Sequence, residues 1–510
     1  MGVEFPESPD GRRSTSALGR TVVADALRPV DPPGAAAAEQ EKDWRRHYPH
    51  HFRRLIEAGL PSPDAAVSVA REGLGSLYRQ MRVIDDAGGE TGLDEIEKAS
   101  SVGQAPATVT VSGSGEPLRE LIIPYRDQQL RGEALSRQLD AWIAGGFIEP
   151  SCADSIRTVA AHPEWLSLPG QTVIVLGAGA EVGPLSALLG WGVNLIGVDL
   201  PNAALWQRGL EVASRGAGTL TVPVTAAPSL QAAPSAPSAP AGSRTPATTG
   251  SDAPADLASR AGLDLAADIP TVADWLAGIE GPLVLGNYVY ADGANNVRVA
   301  TAVDALTVRL QAARPDVTLA FLATPTDVFA VPPEAVVESC RRFADRPLAA
   351  KLALAGSGGR MFSEAYPSGS ASGGPGVNDS LIAQQGPNYA LAKRLQRWRA
   401  TVARHDGAKV SLNVAPPTKT RSVTKNRALA AAYEGAPRFG VQAFAPATTR
   451  TLMAALLVYD LCSGESGPRA HPWQDEAHSA AHGGLWRIPY TPRSALPVAA
   501  LIGYPASRRR

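Results

Sequence analysis

The sequence predicts an α/β fold built on a parallel β-sheet with helices on both faces. Short apolar runs recur through the second half of the chain, and helical periodicity separates most of them. Uninterrupted apolar runs are typical of strands that are buried on both faces. The alternation of strand and helix therefore favours a doubly wound parallel sheet. The predicted strands are Thr172–Leu176, Val193–Val198, Thr219–Val224, Pro282–Leu285, Val317–Leu322 and Lys409–Val414.

The composition excludes several classes of protein. The 510 residues allow several domains, and 48 basic residues against 49 acidic ones leave a net charge of −1, which argues against a nucleic-acid partner. Cys152, Cys340 and Cys462 lie too far apart for a metal or redox pair and suggest a reducing compartment. No apolar stretch is long enough for a signal peptide or a membrane span. We therefore expect a soluble, cytoplasmic protein without a membrane partner, and the Ala, Gly and Arg bias suggests a bacterial source.

Two segments precede the first strand of the predicted sheet. Residues 1–40 are rich in Pro, Ala and Ser without periodic hydrophobicity, so we expect a disordered N-terminal tail. Residues 41–165 are predicted to form an α-rich N-terminal domain. Its helices are indicated by amphipathic patterns over Asp43–Met81 and Gln128–Phe147.

The remaining residues divide into a central unit and an extension. Residues 170–440 are predicted to form the catalytic domain, and residues 441–510 a C-terminal extension that packs on it. Within the central unit, the Pro/Ala/Ser-rich tract 226–255 is predicted to be a disordered insertion. The Ser/Gly-rich segment Met361–Gln385 precedes the residues with chemical potential and suggests a flap over a site.

A glycine-rich turn follows the first predicted strand. Gly177, Gly179 and Gly183 lie where the strand becomes a helix, which lets the backbone approach a pyrophosphate. Asp199 ends the next strand, from which a carboxylate reaches ribose hydroxyls. Three interpretations stay open: a dinucleotide site, an S-adenosylmethionine site, and a tight turn that binds nothing.

A tyrosine and a lysine stand four residues apart at the start of a predicted helix. Tyr389 and Lys393 therefore share one helix face, after the fifth strand and before the sixth. A tyrosine with its ordinary pKa near 10 is a poor acid or base at neutral pH, but a neighbouring ammonium favours the phenolate. The pair suggests acid-base chemistry, and the alternative is a packed Tyr beside a solvated Lys.

These motifs together resemble a divergent member of the short-chain dehydrogenase/reductase family, over about half of the chain. The resemblance implies a Rossmann-like sheet and an NAD cofactor, with NADP possible, since Asp199 disfavours a 2′-phosphate. The motifs that carry it are the turn Gly177–Gly183, Asp199, Asn287 after the fourth strand, the pair Tyr389/Lys393, and Thr420 in the segment after Pro416-Pro417.

The resemblance also implies roles for individual residues. Tyr389 would exchange a proton with a carbonyl or alcohol, and Lys393 would hold the ribose hydroxyls and lower the pKa of Tyr389. Thr324, at the end of the fifth strand, would replace the serine of the family. Thr420 would lie beside the nicotinamide amide, and Asn287 would contact the cofactor.

Two further classes of function stay open, together with the partners. An S-adenosylmethionine-dependent methyltransferase would need an acidic or aromatic clamp, which Tyr288, Tyr290 and Asp292 could supply. A catalytically silent assembly module is the other alternative. No metal site is predicted, because the histidine-rich stretch at 471–482 lacks a third ligand in a recognisable pattern. We expect a small-molecule or acyl-carrier-type substrate, and a homo-oligomer.

Overall fold

A computed structural model gives the architecture of the chain. It describes residues 2–85, 87–96, 105–225, 254–267, 269–367, 373–382, 384–465 and 467–507. Across these ranges, no helix combines the length and the apolar character needed to cross a membrane.

The described residues form 14 strands and 19 α-helices. The strands are β1 (Gly2–Glu4), β2 (Arg82–Ile84), β3 (Glu90–Gly92), β4 (Ala107–Ser112), β5 (Ile123–Tyr125), β6 (Gln128–Leu130), β7 (Thr172–Leu176), β8 (Asn194–Val198), β9 (Thr219–Val224), β10 (Leu283–Asn287), β11 (Thr318–Ala323), β12 (Val328–Val331), β13 (Gly376–Asp379) and β14 (Val410–Val414). The helices that precede β7 are α1 (Thr15–Leu27), α2 (Pro32–Glu39), α3 (Trp44–Gly59), α4 (Pro63–Gln80), α5 (Gly132–Ala144) and α6 (Pro150–Ala161). The later helices are α7 (Leu185–Trp191), α8 (Ala203–Arg215), α9 (Pro254–Arg260), α10 (Ile269–Ala277), α11 (Asn295–Ala313), α12 (Pro333–Ala344), α13 (Leu348–Gly356), α14 (Gly386–His405), α15 (Arg421–Lys425), α16 (Arg427–Gly435), α17 (Pro446–Cys462), α18 (Pro472–Ala477) and α19 (Pro492–Ser507).

A seven-stranded, mostly parallel sheet forms the centre of the molecule, in the order β14-β11-β10-β7-β8-β9-β4. All neighbouring pairs from β14 to β9 are parallel, and β4 closes the other edge antiparallel to β9. Alternate residues of each strand enter two different cores. One core holds Ile174 and Leu176 with helices α1, α3, α4, α11 and α14, and the other holds Val173 and Val175 with α5 to α8 and α17.

The six predicted strands are all present, with shifts of one or two residues at their ends. β7 and β9 have the predicted bounds, and the helix predicted after Gly183-Pro184 begins at Leu185. These strands were predictable because they are buried on both faces, and both faces therefore need apolar residues. This applies to β7, β8, β10, β11 and β14. The mixed α/β class is confirmed.

The expectation of a disordered tail over residues 1–40 is wrong for residues 2–40. Helix α1 is capped by Ser14 and buries Val22, Val23 and Leu27 completely. Helix α2 begins after Asp31, whose side chain accepts from the Gly34 amide at 3.0 Å. The composition concealed these helices because alanine and small residues bury on several faces at once, so that no amphipathic period appears.

The region 41–165 is not a separate α-rich body in the structure. Its helices α3 and α4 share a core with α11 and α14, and the Tyr78 hydroxyl donates to Asp304 at 3.0 Å. Strand β4 from this region completes the central sheet. Residues 128–130, predicted as helix, form β6, and the helix starts at Gly132.

The predicted C-terminal extension and the Ser/Gly-rich segment are also part of the packed structure. Helix α17 of the predicted C-terminal extension packs in the second core, beside α6 and β14. Within Met361–Gln385, β13 pairs antiparallel with β12, and Arg493 donates to Asp379 at 2.6 and 2.7 Å. Most of the predicted insertion 226–255 lies outside the described residues.

Candidate active site

The predicted site residues gather at the carboxyl ends of the parallel strands. The turn Gly177–Gly183 follows β7, Asp199 follows β8, Asn287 ends β10 and Thr324 follows β11. In a parallel sheet these ends share one edge, where open α/β folds bind ligands. Helix α14 starts at the same edge and carries Tyr389 in its first turn.

Tyr389 lies beside Thr324. Burial raises the pKa of Tyr389, the Thr324 hydroxyl bonded to it lowers it, and the charge of Asp327 raises it further, so that the net shift is upward. The Thr324 hydroxyl is also 3.0 Å from that of Thr326, which in turn accepts from Gln385 at 2.7 Å. This chain of hydrogen bonds ties the start of α14 to the end of β11.

Lys393 connects to Asn287 through a residue that the sequence analysis did not identify. The Lys393 ammonium donates to Gln396 Oε1 at 3.1 Å, and Gln396 Nε2 donates to Asn287 Oδ1 at 3.3 Å. Gln396 and Asn287 are buried. Gln396 stands three residues after Lys393, so helical spacing could have indicated this link.

The pKa of Lys393 is lowered and that of Tyr389 is not. Burial lowers the pKa of Lys393 to about 8, against the opposing charge of Asp327. The Lys393 ammonium donates to Gln396 rather than to Tyr389. The expectation that Lys393 lowers the pKa of Tyr389 is therefore not met in this arrangement, where burial determines the shift of the phenol.

The glycine turn is built for close backbone packing. Gly177 has a φ of +82°, and a Cβ there would lie 2.9 Å from the Tyr288 carbonyl carbon. A side chain at Gly177 would therefore strain the backbone and clash with Tyr288, which directly follows β10. Gly179 is exposed, and its amide donates to Asp199 Oδ2 at 2.8 Å.

Asp199 is held by backbone donors in the position predicted for a ribose-binding carboxylate. Its second oxygen, Oδ1, accepts from the Leu200 amide at 2.8 Å. Burial raises the pKa of Asp199, and the bonds from Gly179 and Leu200 oppose that shift. The carboxylate is thus oriented toward the glycine turn before any ligand binds.

The segment with Thr420 closes over the same turn. The Arg421 amide donates to Glu181 Oε2 at 2.8 Å, which joins the start of α15 to the glycine turn. The Thr420 hydroxyl is 2.9 Å from that of Ser422. Thr420 therefore precedes a residue that is bonded to the glycine turn, and its predicted place beside a nicotinamide amide stays a prediction.

Two tyrosines that were not predicted as acid-base groups surround Tyr389. The Tyr290 ring centroid lies 6.0 Å from that of Tyr389, and the Tyr290 hydroxyl donates to Asp292 at 2.9 Å. Burial and the neighbouring Tyr389 raise the pKa of Tyr433 to about 12. Tyr288 is buried under the glycine turn, so only Tyr290 and Asp292 of the alternative clamp are exposed.

The histidine-rich stretch has structural partners. His482 Nε2 lies 2.9 Å from Glu149 Oε1, and the His482 ring stacks on Trp486 with centroids 4.6 Å apart. His471 caps α18. In the part of the chain that the structure describes, no group of three His, Cys, Asp or Glu residues could hold a metal ion.

A cleft of about 580 Å³ lies beside this stretch, away from the predicted site. Its lining includes Glu149, Arg469, Trp473 and His478, and none of the predicted site residues. The candidate site at the sheet edge therefore rests on its side chains and is separate from this cleft.

We found no family model, no curated protein and no solved structure that matches this chain.

Proposed function

We propose that the protein is an NAD(P)-dependent oxidoreductase of the short-chain dehydrogenase/reductase type. The observation that carries the proposal is the convergence of Tyr389 with Thr324, and of Lys393 with Asn287, at the carboxyl edge of one parallel sheet. These residues come from two separate strand ends and one helix. Their gathering is what an acid-base site beside a bound nicotinamide requires.

The strand order supports a Rossmann-like assignment. When the six parallel strands are numbered along the chain from β7, their spatial order is 3-2-1-4-5-6. This is the order of the doubly wound dinucleotide-binding fold, whose ligand lies where the order reverses. In this chain the reversal falls between β7 and β10, next to the glycine turn and Asn287.

The residues at that point fit a nicotinamide dinucleotide. Gly177 cannot accept a side chain, Gly179 is exposed, and the Asp199 carboxylate faces the turn. Gly177–Gly183 would approach the pyrophosphate, and Asp199 the ribose hydroxyls of the adenosine half, which favours NAD over NADP. When bound, the cofactor supplies or accepts a hydride.

We assign the acid-base step to Tyr389. In carbonyl reduction the phenol donates its proton to the substrate oxygen, and in alcohol oxidation the phenolate removes the proton. Thr324 hydrogen-bonds the tyrosine and orients the hydroxyl. Lys393, held by Gln396, carries a positive charge that would bind ribose hydroxyls.

A binding experiment tests this proposal directly. We expect the purified protein to quench or enhance NADH fluorescence with saturation at or below millimolar concentration, and to bind NADPH more weakly. S-adenosylhomocysteine serves as the comparison ligand, because a methyltransferase would prefer it. Selective retention of S-adenosylhomocysteine, or binding of no dinucleotide at millimolar concentration, would overturn the oxidoreductase assignment.

A conservative change at Lys393 tests its role beside the tyrosine. We expect Lys393→Arg to leave the melting temperature nearly unchanged but to weaken NADH binding, since a planar guanidinium cannot occupy the place of a compact ammonium. The pH optimum of turnover should change little, because burial, Thr324 and Asp327 rather than Lys393 set the pKa of Tyr389. The measurements are NADH titration and the pH profile of turnover.

Lys351 on α13 provides the matched control for that variant. It is exposed, so Lys351→Arg should alter neither NADH affinity nor the pH profile. If Lys393→Arg behaves like this control, Lys393 is only a helix-surface charge.

A further inference from the structure

Arg450 reaches the glycine turn from outside the nucleotide-binding unit. It lies in the second turn of α17, and its Nη1 donates to Ser186 Oγ at 2.6 Å. Ser186 is in the first turn of α7, directly after the glycine turn. The guanidinium therefore lies at the position where the turn meets α7.

The positive charge of Arg450 is incompletely compensated. Its Nε is buried without a hydrogen-bond partner, and among the described residues it forms no ion pair. Burial lowers the pKa of Arg450, and only the more distant charge of Glu181 opposes that shift. Arg450 as a whole is only half-buried, but a guanidinium with a buried, unpartnered Nε is favourably paired with an anion.

The carboxylate of Glu181, whose charge acts on Arg450, is engaged with another group. Glu181 Oε2 accepts from the Arg421 amide at 2.8 Å, so this acid holds the segment after Thr420 against the turn. Among the described residues, Arg450 thus retains at least one donor, Nε, that no protein group accepts. Guanidinium donors and a glycine-rich backbone are both suited to phosphate oxygens.

We propose that Arg450 binds a phosphate group of the ligand at the glycine turn. The inference rests on the proposed function in naming that ligand as a dinucleotide pyrophosphate. It adds a positioning contact from α17, a helix outside the region that resembles the family. Binding of the phosphates would pair the buried charge and fix α17 against α7.

The test compares Arg450→Met with Arg450→Lys and with a control, Arg45→Met. Arg45 is an exposed arginine on α3, so this control loses the same charge far from the glycine turn. The probes are NADH, inorganic pyrophosphate and adenosine, titrated by calorimetry on the full chain, with melting temperatures recorded for each variant. We expect Arg450→Met to weaken NADH and pyrophosphate binding roughly 10- to 100-fold and to leave adenosine binding unchanged.

The outcomes separate this inference from the proposed function. Arg450→Lys keeps the charge but loses the fork, so an intermediate loss supports the contact even if Arg450→Met does not fold. Equal NADH affinity in the wild type and in a folded Arg450 variant overturns the inference and leaves the oxidoreductase proposal intact. Pyrophosphate binding that needs Arg450, without any NADH binding, supports the phosphate site and overturns the oxidoreductase proposal. A wild-type protein that binds neither probe overturns both.

Discussion

Tyr389→Phe is expected to lower turnover by about 10²- to 10⁴-fold, because it removes the only proton that the ring can exchange with substrate. The ring itself and its packing remain, so the melting temperature should change little. NADH binding should also survive, since the phenol acts on the substrate oxygen rather than on the dinucleotide. The measurement is the rate of NADH oxidation with a carbonyl substrate found by screening.

Tyr290→Phe is the matched control for that experiment. Tyr290 lies 6.0 Å from Tyr389 between ring centroids but is 53% exposed, and its hydroxyl donates to Asp292. We expect this variant to keep turnover within a few-fold of the wild type. If Tyr290→Phe removes turnover while Tyr389→Phe retains it, the acid has been assigned to the wrong tyrosine.

The central sheet was predictable because its strands are buried. Thr172–Leu176 is apolar without interruption, since alternate side chains enter two different cores. Strand β4 was not predicted as a member of the sheet, because it is an edge strand in which four of six residues are exposed. Its pairing with β9 joins residues that lie far apart in the chain, and local patterns carry no information about such a pairing.

The N-terminal helices show a second limit of pattern reasoning. Amphipathic periodicity identifies a helix only when one face is polar. Helix α1 buries Leu18, Val22, Val23 and Leu27, and two of its three alanines, Ala24 and Ala26, are buried as well. The segment is rich in small residues and lacks periodic hydrophobicity, which is typical of a disordered tail. Its helices are instead stabilised by the surrounding helices against which they pack.

Only part of the candidate site could be predicted from the sequence. The strand-end residues were predictable, because the ends of parallel strands necessarily meet at one edge. The pairing of Thr324 with Tyr389 was implied only by the family resemblance, because Tyr389 lies on a helix rather than at a strand end. Gln396 and Arg450 were missed because their significance depends on side-chain contacts, and Arg450 comes from a helix outside the resembling region.

A buried group of charges that the sequence did not indicate fixes α14 against the start of β12 and against α18. Asp327 accepts from Arg394 at 2.9 Å and from Arg397 at 2.7 Å, and Arg397 also pairs with Glu476 at 2.5 and 2.6 Å. The side chains of Asp327, Arg394 and Arg397 are at most 2% exposed. Two acids and two bases leave the group neutral, so that each charge depends on the others for compensation. The same contacts hold the helix that carries Tyr389 and Lys393.

Asp327→Asn is expected to destabilise the fold by about 3–5 kcal/mol, because it leaves a buried guanidinium without its counter-charge. Denaturant unfolding measures this loss. Asp345→Asn is the control, since Asp345 pairs with Arg341 at 3.8 Å on the surface. This variant should change the free energy of unfolding by less than about 1 kcal/mol.

The pH dependence of the same variant gives an independent check. Burial raises the pKa of Asp327, but the charges of Arg394 and Arg397 outweigh burial, and the pKa lies below its usual range. A carboxylate with a lowered folded-state pKa stabilises the protein above about pH 4 and loses that contribution as the pH falls through the folded value. The difference in stability between wild type and Asp327→Asn should therefore be constant near neutrality and shrink in acid. A variant as stable as the wild type at pH 7 would mean that the arginines find other partners, and that this ion group does not hold α14 in place.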